Sequence, residues 1–347
     1  MDSLITRMSA DSRPRTAVLL QHTGIGDLIW HIQYFKAVAN QSQGGQIAVI
    51  AQPSTLAKAF LGHEPWVSQI IDHDHRPRRG DGRRGKHAGI QGMRQMAQEL
   101  KALKLDRLVM FSGRASRGLI AGLSGIPIRL GYGYNRLQRL FLTPGPFIAA
   151  HKGPGVAVYP EASAFAVAHG FCATPLTPAM DVPEDMLQAM RLRLADMPRP
   201  ITALAIGTSE PHKQWGAGKF AQLASQLAAQ GGSVILLGGP GEKTLAADIH
   251  AQVTAKVQHR VHPITDAPVL GSAALLKLSD ACVGNDTGMV NVAAAVACPT
   301  WVLLGDRRPL EHDPKHLHNV LAPSLQAITV QQIISALESV YPAFEGA

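Results

Sequence analysis

The sequence predicts an α/β protein built from two doubly wound, Rossmann-like domains, and three observations carry that expectation. Short apolar runs rich in Val, Ile, Leu and Ala alternate with segments of helical period, the rhythm of βα units in a parallel sheet. The rhythm stops between residues 142 and 200, where Thr143-Pro144-Gly145-Pro146, Gly153-Pro154-Gly155 and Met197-Pro198-Arg199-Pro200 punctuate the chain, and then it resumes. Finally, 347 residues exceed the usual span of one domain.

Taken in order, residues 1–15 form a polar arm and Thr16 to Gln21 a buried strand. His22-Thr23-Gly24-Ile25-Gly26-Asp27 is a tight turn into a helix from Leu28 to Asn40, with Leu28, Ile32, Phe35 and Val38 on its apolar side. Further strands are expected at Gln46–Ala51, Val67–Ile71 and Arg107–Phe111. Helices are expected at Ser54–Leu61, capped by Ser54, and at Ile90–Leu103, Ala115–Leu123 and Tyr159–His169. The second series places strands at Thr202–Ile206, Ser233–Leu237, around Val257, at Ala281–Val283 and at Thr300–Leu304. Its helices are Ala217–Ala229, Glu242–Val253, Val269–Leu278, Thr287–Ala297 and Val330–Val340. The expected division is residues 1–170 as an N-terminal domain, 171–200 as a connection and 201–330 as a C-terminal domain. Residues 331–347 form a final helix expected to pack back on the first domain. Ligands are expected beyond the strands' carboxyl ends.

Composition narrows the function classes. With 46% hydrophobic and 17% charged residues, the chain can bury large cores and is not of the disordered type. A net charge of +8 points to an acidic partner: phosphorylated substrates, an anionic membrane surface or nucleic acid. No aromatic-interleaved basic motif accompanies the charge, which argues against nucleic acid. Cys172, Cys282 and Cys298 are widely spaced and odd in number, as expected of free thiols in a reducing compartment. With no apolar leader and no bilayer-length apolar run, the expectation is a cytoplasmic protein with peripheral contact at the inner face of the membrane.

Four segments offer chemistry. Val283-Gly284-Asn285-Asp286-Thr287-Gly288 reads as a strand running into a helix start, where Asp286 or Thr287 caps the helix and Gly288 lets another molecule approach the backbone. Free N–H groups and the helix dipole there suit phosphate; the plainer reading is an ordinary capped helix. Gly24-Ile25-Gly26-Asp27 lacks the third glycine of a dinucleotide fingerprint, because Ile29 stands in its place. Asp27 is either a helix cap or a general base within reach of a hydroxyl. In Gly207-Thr208-Ser209-Glu210-Pro211-His212-Lys213, two hydroxyls and a lysine can grip a diphosphate, with Lys213 offsetting leaving-group charge, unless Lys213 is a solvated loop residue. Glu242, after Gly238-Gly239-Pro240-Gly241, can accept from ribose hydroxyls or merely sit in an acidic first turn. The run Arg76-Pro77-Arg78-Arg79-Gly80-Asp81-Gly82-Arg83-Arg84-Gly85-Lys86-His87 is either solvated surface or an acceptor-binding loop for phosphates or carboxylates. Asp72-His73-Asp74-His75, and His312 with His316 and His318, lack recognised metal-ligand spacing, so no metal is expected.

Together these segments resemble the heptosyltransferase family, inverting glycosyltransferases of the GT-B fold that build the lipopolysaccharide core. The likeness rests on the early turn ending at Asp27, on Thr208-Ser209 with Lys213 and Trp215, and on Gly284-Asn285-Asp286-Thr287-Gly288 with its alanine-rich helix. The resemblance implies two Rossmann-like domains facing a cleft and no cofactor beyond a nucleotide-sugar co-substrate, with ADP-heptose the family's usual donor and a lipopolysaccharide-core glycolipid the acceptor. It makes Asp27 the catalytic base, assisted by Lys213. Thr208, Ser209, Lys213, Glu242, Asp286, Thr287, Gly288 and Asn291 would bind the donor. Apart from the resemblance, Gly26 and the cations of the basic run, Arg76, Arg78, Arg79, Arg83, Arg84 and Lys86, are expected to face the acceptor. Asn291 stands where the family often has histidine, and it can hydrogen-bond without carrying charge. The rival readings are a transferase using another nucleotide-sugar, a GT-B-like epimerase that needs no acceptor, and a non-catalytic nucleotide- or glycan-binding regulator.

Overall fold

The computed structural model describes residues 11–76, 82–153, 156–208 and 210–340. The chain divides into two compact units. One comprises the chain as far as Thr23, Tyr34–His151 and Glu161–Leu176; the other comprises Gly24–Gln33, Lys152–Pro160 and the chain from Thr177 onward. Compared with the division expected from sequence, two short segments, 24–33 and 152–160, go with the second unit.

The first unit is a five-stranded parallel sheet of β1 (Thr16–Leu20), β2 (Ile47–Ala51), β3 (Val67–Asp72), β4 (Arg107–Phe111) and β5 (Ile128–Gly131), in the order β3-β2-β1-β4-β5. β1 and β2 are buried at every residue, which is why they read as unbroken apolar runs. Its helices are α2 (Ala57–Leu61), α3 (Gly89–Ala102), α4 (Ala115–Ser124) and α5 (Arg136–Arg139), with α1 (Ile25–Asn40) from Tyr34 onward and α6 (Val158–Ala168) from Glu161 onward, the first turns of both falling in the second unit. Leu19, Ile50, Met96, Leu100, Leu108, Met110 and Ile120 build a core between sheet and helices. Two local expectations are corrected. Helix α1 starts at Ile25, so Gly26 and Asp27 lie in its first turn rather than before it. Ser54 caps no helix. Pro53–Thr55 is a single 3-10 turn, Leu56 adopts a left-handed φ of 57° that separates it from α2, and Ser54 Oγ donates to the Thr23 carbonyl at 2.7 Å.

The second unit holds six parallel strands: β6 (Ile201–Ala205), β7 (Ser233–Leu237), β8 (Val261–Ile264), β9 (Ala281–Asn285), β10 (Thr300–Gly305) and β11 (Leu317–Leu321). Their order is β11-β10-β9-β6-β7-β8. Its helices are α7 (Glu184–Leu194), α8 (Ala217–Ala229), α9 (Lys243–Gln252), α10 (Val269–Leu278), α11 (Gly288–Ala295) and α12 (Val330–Val340). The strand expected around Val257 lies later in the chain, as β8. Residues Gln258–Arg260 form a 3-10 turn instead, and Pro263 is tolerated because β8 is an edge strand. Helix α7, inside the stretch assigned to the connection, packs on α10. Of the expected final segment, residues 341–347 lie outside the described residues. Ile333, Ile334 and Leu337 of α12 are buried in the same core as Trp215, Phe220, Leu227 and Leu303. Among the described residues no helix is long and apolar enough to cross a membrane.

Candidate active site

In the second sheet the strand order reverses between β6 and β9, the place where a doubly wound fold opens a ligand site at its carboxyl end. Asn285, the last residue of β9, is fully buried and ties the two loops there together. Its Oδ1 accepts the Trp215 amide at 3.1 Å; its Nδ2 donates to the Ile206 carbonyl at 2.9 Å and to Gln214 Oε1 at 3.0 Å. The Trp215 indole in turn donates to the Ile328 carbonyl at 3.1 Å. The loop carrying Thr208 and Lys213 is therefore fixed at its far end by the residue that precedes Asp286.

Beside that tie sits a charged cluster. Asp286 Oδ2 lies 3.0 Å from Arg307 Nη1 and 3.4 Å from Lys213 Nζ, and Lys213 also approaches Glu210 Oε1 at 3.2 Å. The Arg307 fork is locked further by donation to the Leu303 and Leu304 carbonyls at 2.8 and 3.0 Å. Lys213 is thus a half-buried, paired cation rather than a solvated one. Thr287 is the N-cap of α11, and its side chain makes no capping hydrogen bond, so the amides of the first turn are not satisfied by it. Two cations next to an uncapped helix start form an anion site. Thr208 Oγ closes a local turn, donating to the Glu210 carbonyl at 3.1 Å and accepting its amide at 3.2 Å. Glu242 Oε2 accepts the Gly239 N–H at 2.8 Å, the helix-start role, while its carboxyl carbon stands 3.2 Å from where a Cβ on Gly207 would be.

Residues 24–33 complete the site in this unit. Asp27 Oδ2 accepts the Gly24 amide at 2.9 Å, half of a capping box. A carboxylate has lone pairs beyond the one used there, so capping and proton acceptance are compatible. Gly26 and Gly288 let the first turns of α1 and α11 meet. A Cβ on Gly26 would come within 2.9 Å of Asn291 Nδ2, and one on Gly288 within 2.7 Å of Ile25 Cβ. The bare face of Gly288, expected to admit another molecule, is filled by Ile25. Asn291, expected at the donor, is engaged inside the protein: Nδ2 donates to the Thr287 carbonyl at 3.1 Å and Oδ1 accepts from Trp30 Nε1 at 2.9 Å. The same indole N–H reaches His312 Nε2 at 3.0 Å, so that nitrogen is the unprotonated one; burial pushes the His312 pKa down to about 4. Trp30, Tyr159, Pro160, Leu310 and His312 line a small cavity of about 40 Å³.

The basic run belongs to the first unit. Arg78, Arg79 and, in the second unit, Ser209 lie outside the described residues. Arg83 pairs with Asp74 and Lys86 with Glu99 at 2.7 Å, so two of the expected acceptor cations already have carboxylate partners; Arg76 and Arg84 are exposed. Among the described residues no three His, Cys, Asp or Glu side chains are gathered as metal ligands. His316 pairs with Asp313, and His318 stacks on Trp301 at 4.8 Å. Cys282 and Cys298 are free thiols, buried, and burial raises the Cys282 pKa to about 12. Read from sequence, Trp30 and Arg307 carry no site role, Asn285 stands only within the Gly284-Asn285-Asp286-Thr287-Gly288 motif and His312 only among the histidines considered for metal; the Asp306-Arg307-Arg308 run after β10 is a local sign of Arg307.

A two-sheet α/β chain with an anion site at the second switch point has the architecture of a GT-B glycosyltransferase. A family profile described as glycosyltransferase family 9 (heptosyltransferase) matches residues 93–331, and the chain belongs to that family. Solved structures agree on the fold. The E. coli ADP-heptose lps heptosyltransferase II superposes with a TM-score of 0.72 at 20% identity, covering 94% of this chain and 98% of that one. A glycosyl transferase family 9 protein from Veillonella parvula gives 0.75 at 18%, covering 98% and 99%. E. coli heptosyltransferase WaaC, solved with ADP-2-deoxy-2-fluoro heptose, gives 0.67 at 17%, covering 94% and 100%. A search of curated protein sequences returned no match.

Proposed function

We propose that this glycosyltransferase is an inverting enzyme that moves a sugar, heptose from ADP-heptose, onto a lipopolysaccharide-core glycolipid. The observation that carries the reading is the contact of Gly26 with Gly288. It brings the α1 turn bearing Asp27 against the α11 turn flanked by Lys213 and Arg307. In this reading Asp27 takes the proton of the acceptor hydroxyl while that oxygen attacks the anomeric carbon on the face opposite the diphosphate. The bond from carbon to diphosphate oxygen breaks, and the charge left on the diphosphate is met by Lys213, Arg307 and the amides of Thr287 and Gly288. These fixed cations and dipoles supply what a metal ion supplies in other nucleotide-sugar enzymes, so no metal or cofactor is required. Thr208, Ser209 and Asp286 line the diphosphate, and Glu242 accepts from the ribose. Asn291 acts by holding α1 to α11. Arg76, Arg78, Arg79, Arg83, Arg84 and Lys86 attract the anionic glycolipid, and the enzyme works peripherally at the inner membrane face.

The test is Asp27→Asn, assayed for ADP release from ADP-heptose with a lipopolysaccharide-core extract. Asparagine keeps the acceptor for the Gly24 amide but cannot take a proton, so turnover is expected to fall by roughly 10²- to 10⁴-fold with donor affinity unchanged. Turnover within a few-fold of the parent would reject Asp27 as the base. Release from a UDP- or GDP-sugar in place of ADP-heptose would revise the donor.

A further inference from the structure

Between Asp106 and Glu161 the chain has no acidic residue, while Arg and Lys occur seven times there. Helix α5 lies in the middle of that stretch. Asn135 caps it, its side chain accepting the Leu137 amide at 3.0 Å, and Leu140 keeps a helical φ and ψ of −58° and −21° at the other end. Leu137 and Leu140, three residues apart, therefore share one side. The opposite side is tied into the first unit. Gln138 is fully buried; its Nε2 donates to the Ser112 carbonyl at 2.7 Å and its Oε1 accepts the Gly133 amide at 3.0 Å. A Cβ on Gly118 would meet Gln138 Cγ at 3.1 Å, and one on Gly122 would meet Phe141 Cδ1 at 3.0 Å. With Gln138 and Phe141 packed inward, Leu137 and Leu140 are held outward, 62% and 75% exposed, and Leu140 is the most exposed large apolar side chain among the described residues. Phe147, 38% exposed, joins them: its ring occupies the place a Cβ on Gly133 would take, and Arg139 Cζ lies over it at 4.7 Å.

A single exposed leucine is ordinary, whereas apolar side chains gathered on a capped, anchored turn mark a contact surface. The charge beside them has one sign. Arg136 and Arg139 are exposed, Arg139 donates to the Gly133 carbonyl and Arg129 to the Phe141 carbonyl at 2.6 Å, and among the described residues no carboxylate pairs with any of the three. Apolar tips bordered by unneutralised arginines complement a surface that is apolar within and anionic at its rim, as a bilayer with acidic headgroups is. Three side chains fall far short of the roughly 800 Å² per partner of a stable protein interface, while a bilayer takes up projecting apolar groups without a matching shape. We propose that Leu137, Leu140 and Phe147 enter the boundary between headgroups and acyl chains of an anionic bilayer, with Arg136 and Arg139 at the level of the lipid phosphates. The occupant is bulk phospholipid, not the acceptor. This contact rests on the reading of an enzyme that works at a membrane face and moves its anchor from the basic run, whose Arg83 and Lys86 already hold carboxylates, to α5. Because β5 leads into α5 at the carboxyl edge of the first sheet, docking there turns the ligand-binding edge of that unit toward the lipid.

The test is co-sedimentation of the full chain with vesicles of phosphatidylcholine alone and of phosphatidylcholine with phosphatidylglycerol, in the absence of donor and acceptor. The parent is expected to bind the phosphatidylglycerol vesicles and to bind the neutral ones weakly. The double variant Leu137→Ser/Leu140→Ser should weaken that binding roughly tenfold or more, with an unchanged melting temperature because both side chains are already in water. Arg136→Gln should weaken it about fivefold. Insertion is read separately with Leu140→Trp. The four native tryptophans, Trp30, Trp66, Trp215 and Trp301, are all buried, so brominated phosphatidylglycerol should quench the added indole and leave the parent's emission nearly untouched. Binding by the double variant equal to the parent's, or an unquenched Leu140→Trp protein on vesicles that bind it, would overturn the inference and leave a membrane contact made elsewhere. A parent that stays off phosphatidylglycerol vesicles would overturn both the inference and the peripheral reading. A parent that is dimeric in solution and becomes monomeric in the double variant would also overturn it, since a second copy of the chain would then cover α5. Should the double variant not fold, Leu140→Trp and Arg136→Gln decide the matter. Turnover of ADP-heptose on a soluble, lipid-free core oligosaccharide is measured apart, so failure of the transfer chemistry and failure of the docking surface are told apart.

Discussion

Asn285 concentrates much of the site's order in one side chain. Its amide satisfies a buried amide and a buried carbonyl at the two ends of the loop between β6 and α8, so its removal strands both. Asn285→Ala is expected to cost roughly 2–6 kcal/mol, at about 1–3 kcal/mol for each stranded group, and to loosen the loop that carries Lys213. Chemical denaturation measures the first effect and donor affinity the second; a variant as stable as the parent would mean the loop is held by other bonds. At this scale the sequence showed residues whose type alone is informative. Gly288 and Thr287 announced a helix start, and Asp27 a carboxylate at a turn. Asn285, Trp30, Arg307 and His312 acquire meaning only through partners distant in the chain, such as Trp30 with Asn291 and His312. Local pattern holds no trace of such pairings.

Among the elements, those with one strong period were legible. Helices Ala217–Ala229, Val269–Leu278 and Val330–Val340 and strands Arg107–Phe111 and Ser233–Leu237 stand where the sequence put them. Those overlooked have weak or mixed signals. β5 has four residues and begins with an exposed Ile128, β11 is an edge strand of mixed burial, and α7 buries only Leu187 and Leu194. Helix α12 is legible as a helix, whereas the residues its buried face packs on are not, because an amphipathic pattern names a buried face without naming its neighbour. Since Leu337 is fully buried among Trp215 and Phe220 in the second unit's core, Leu337→Ala should destabilise by about 2–5 kcal/mol. A urea midpoint unchanged from the parent would contradict that placement.

For the whole molecule, the two-sheet plan followed from alternation and length, whereas the affiliation of residues 24–33 and 152–160 with the second unit did not. Chain connectivity suggests that a segment belongs with its neighbours, and only packing overrides it. Stability should also depend on pH through buried neutral imidazoles. His312 binds its proton with a pKa of about 4 when folded, against an ordinary 6.5, because burial disfavours the cation. Between these values the unfolded chain holds the extra proton. The contribution is therefore complete above about pH 6.5 and is lost as pH falls towards 4, with a slope of up to about 1.4 kcal/mol per pH unit for this group. His75 acts with the same sign. Urea unfolding at pH 7, 6 and 5 should show the decline, and His312→Asn should make it shallower by about one proton; an unchanged slope would show that His312 does not titrate this way.

The shared hydrogen bond of Trp30 has an optical consequence. An indole in contact with a neutral imidazole emits normally, whereas an imidazolium quenches it strongly. Trp30 and His312 have ring centres 4.9 Å apart, and the same indole N–H is anchored to Asn291, which is bonded to the residue that starts α11. Trp30 is one of four tryptophans, and with the His312 pKa near 4 its imidazolium quenching is expected to set in only as pH falls towards that value.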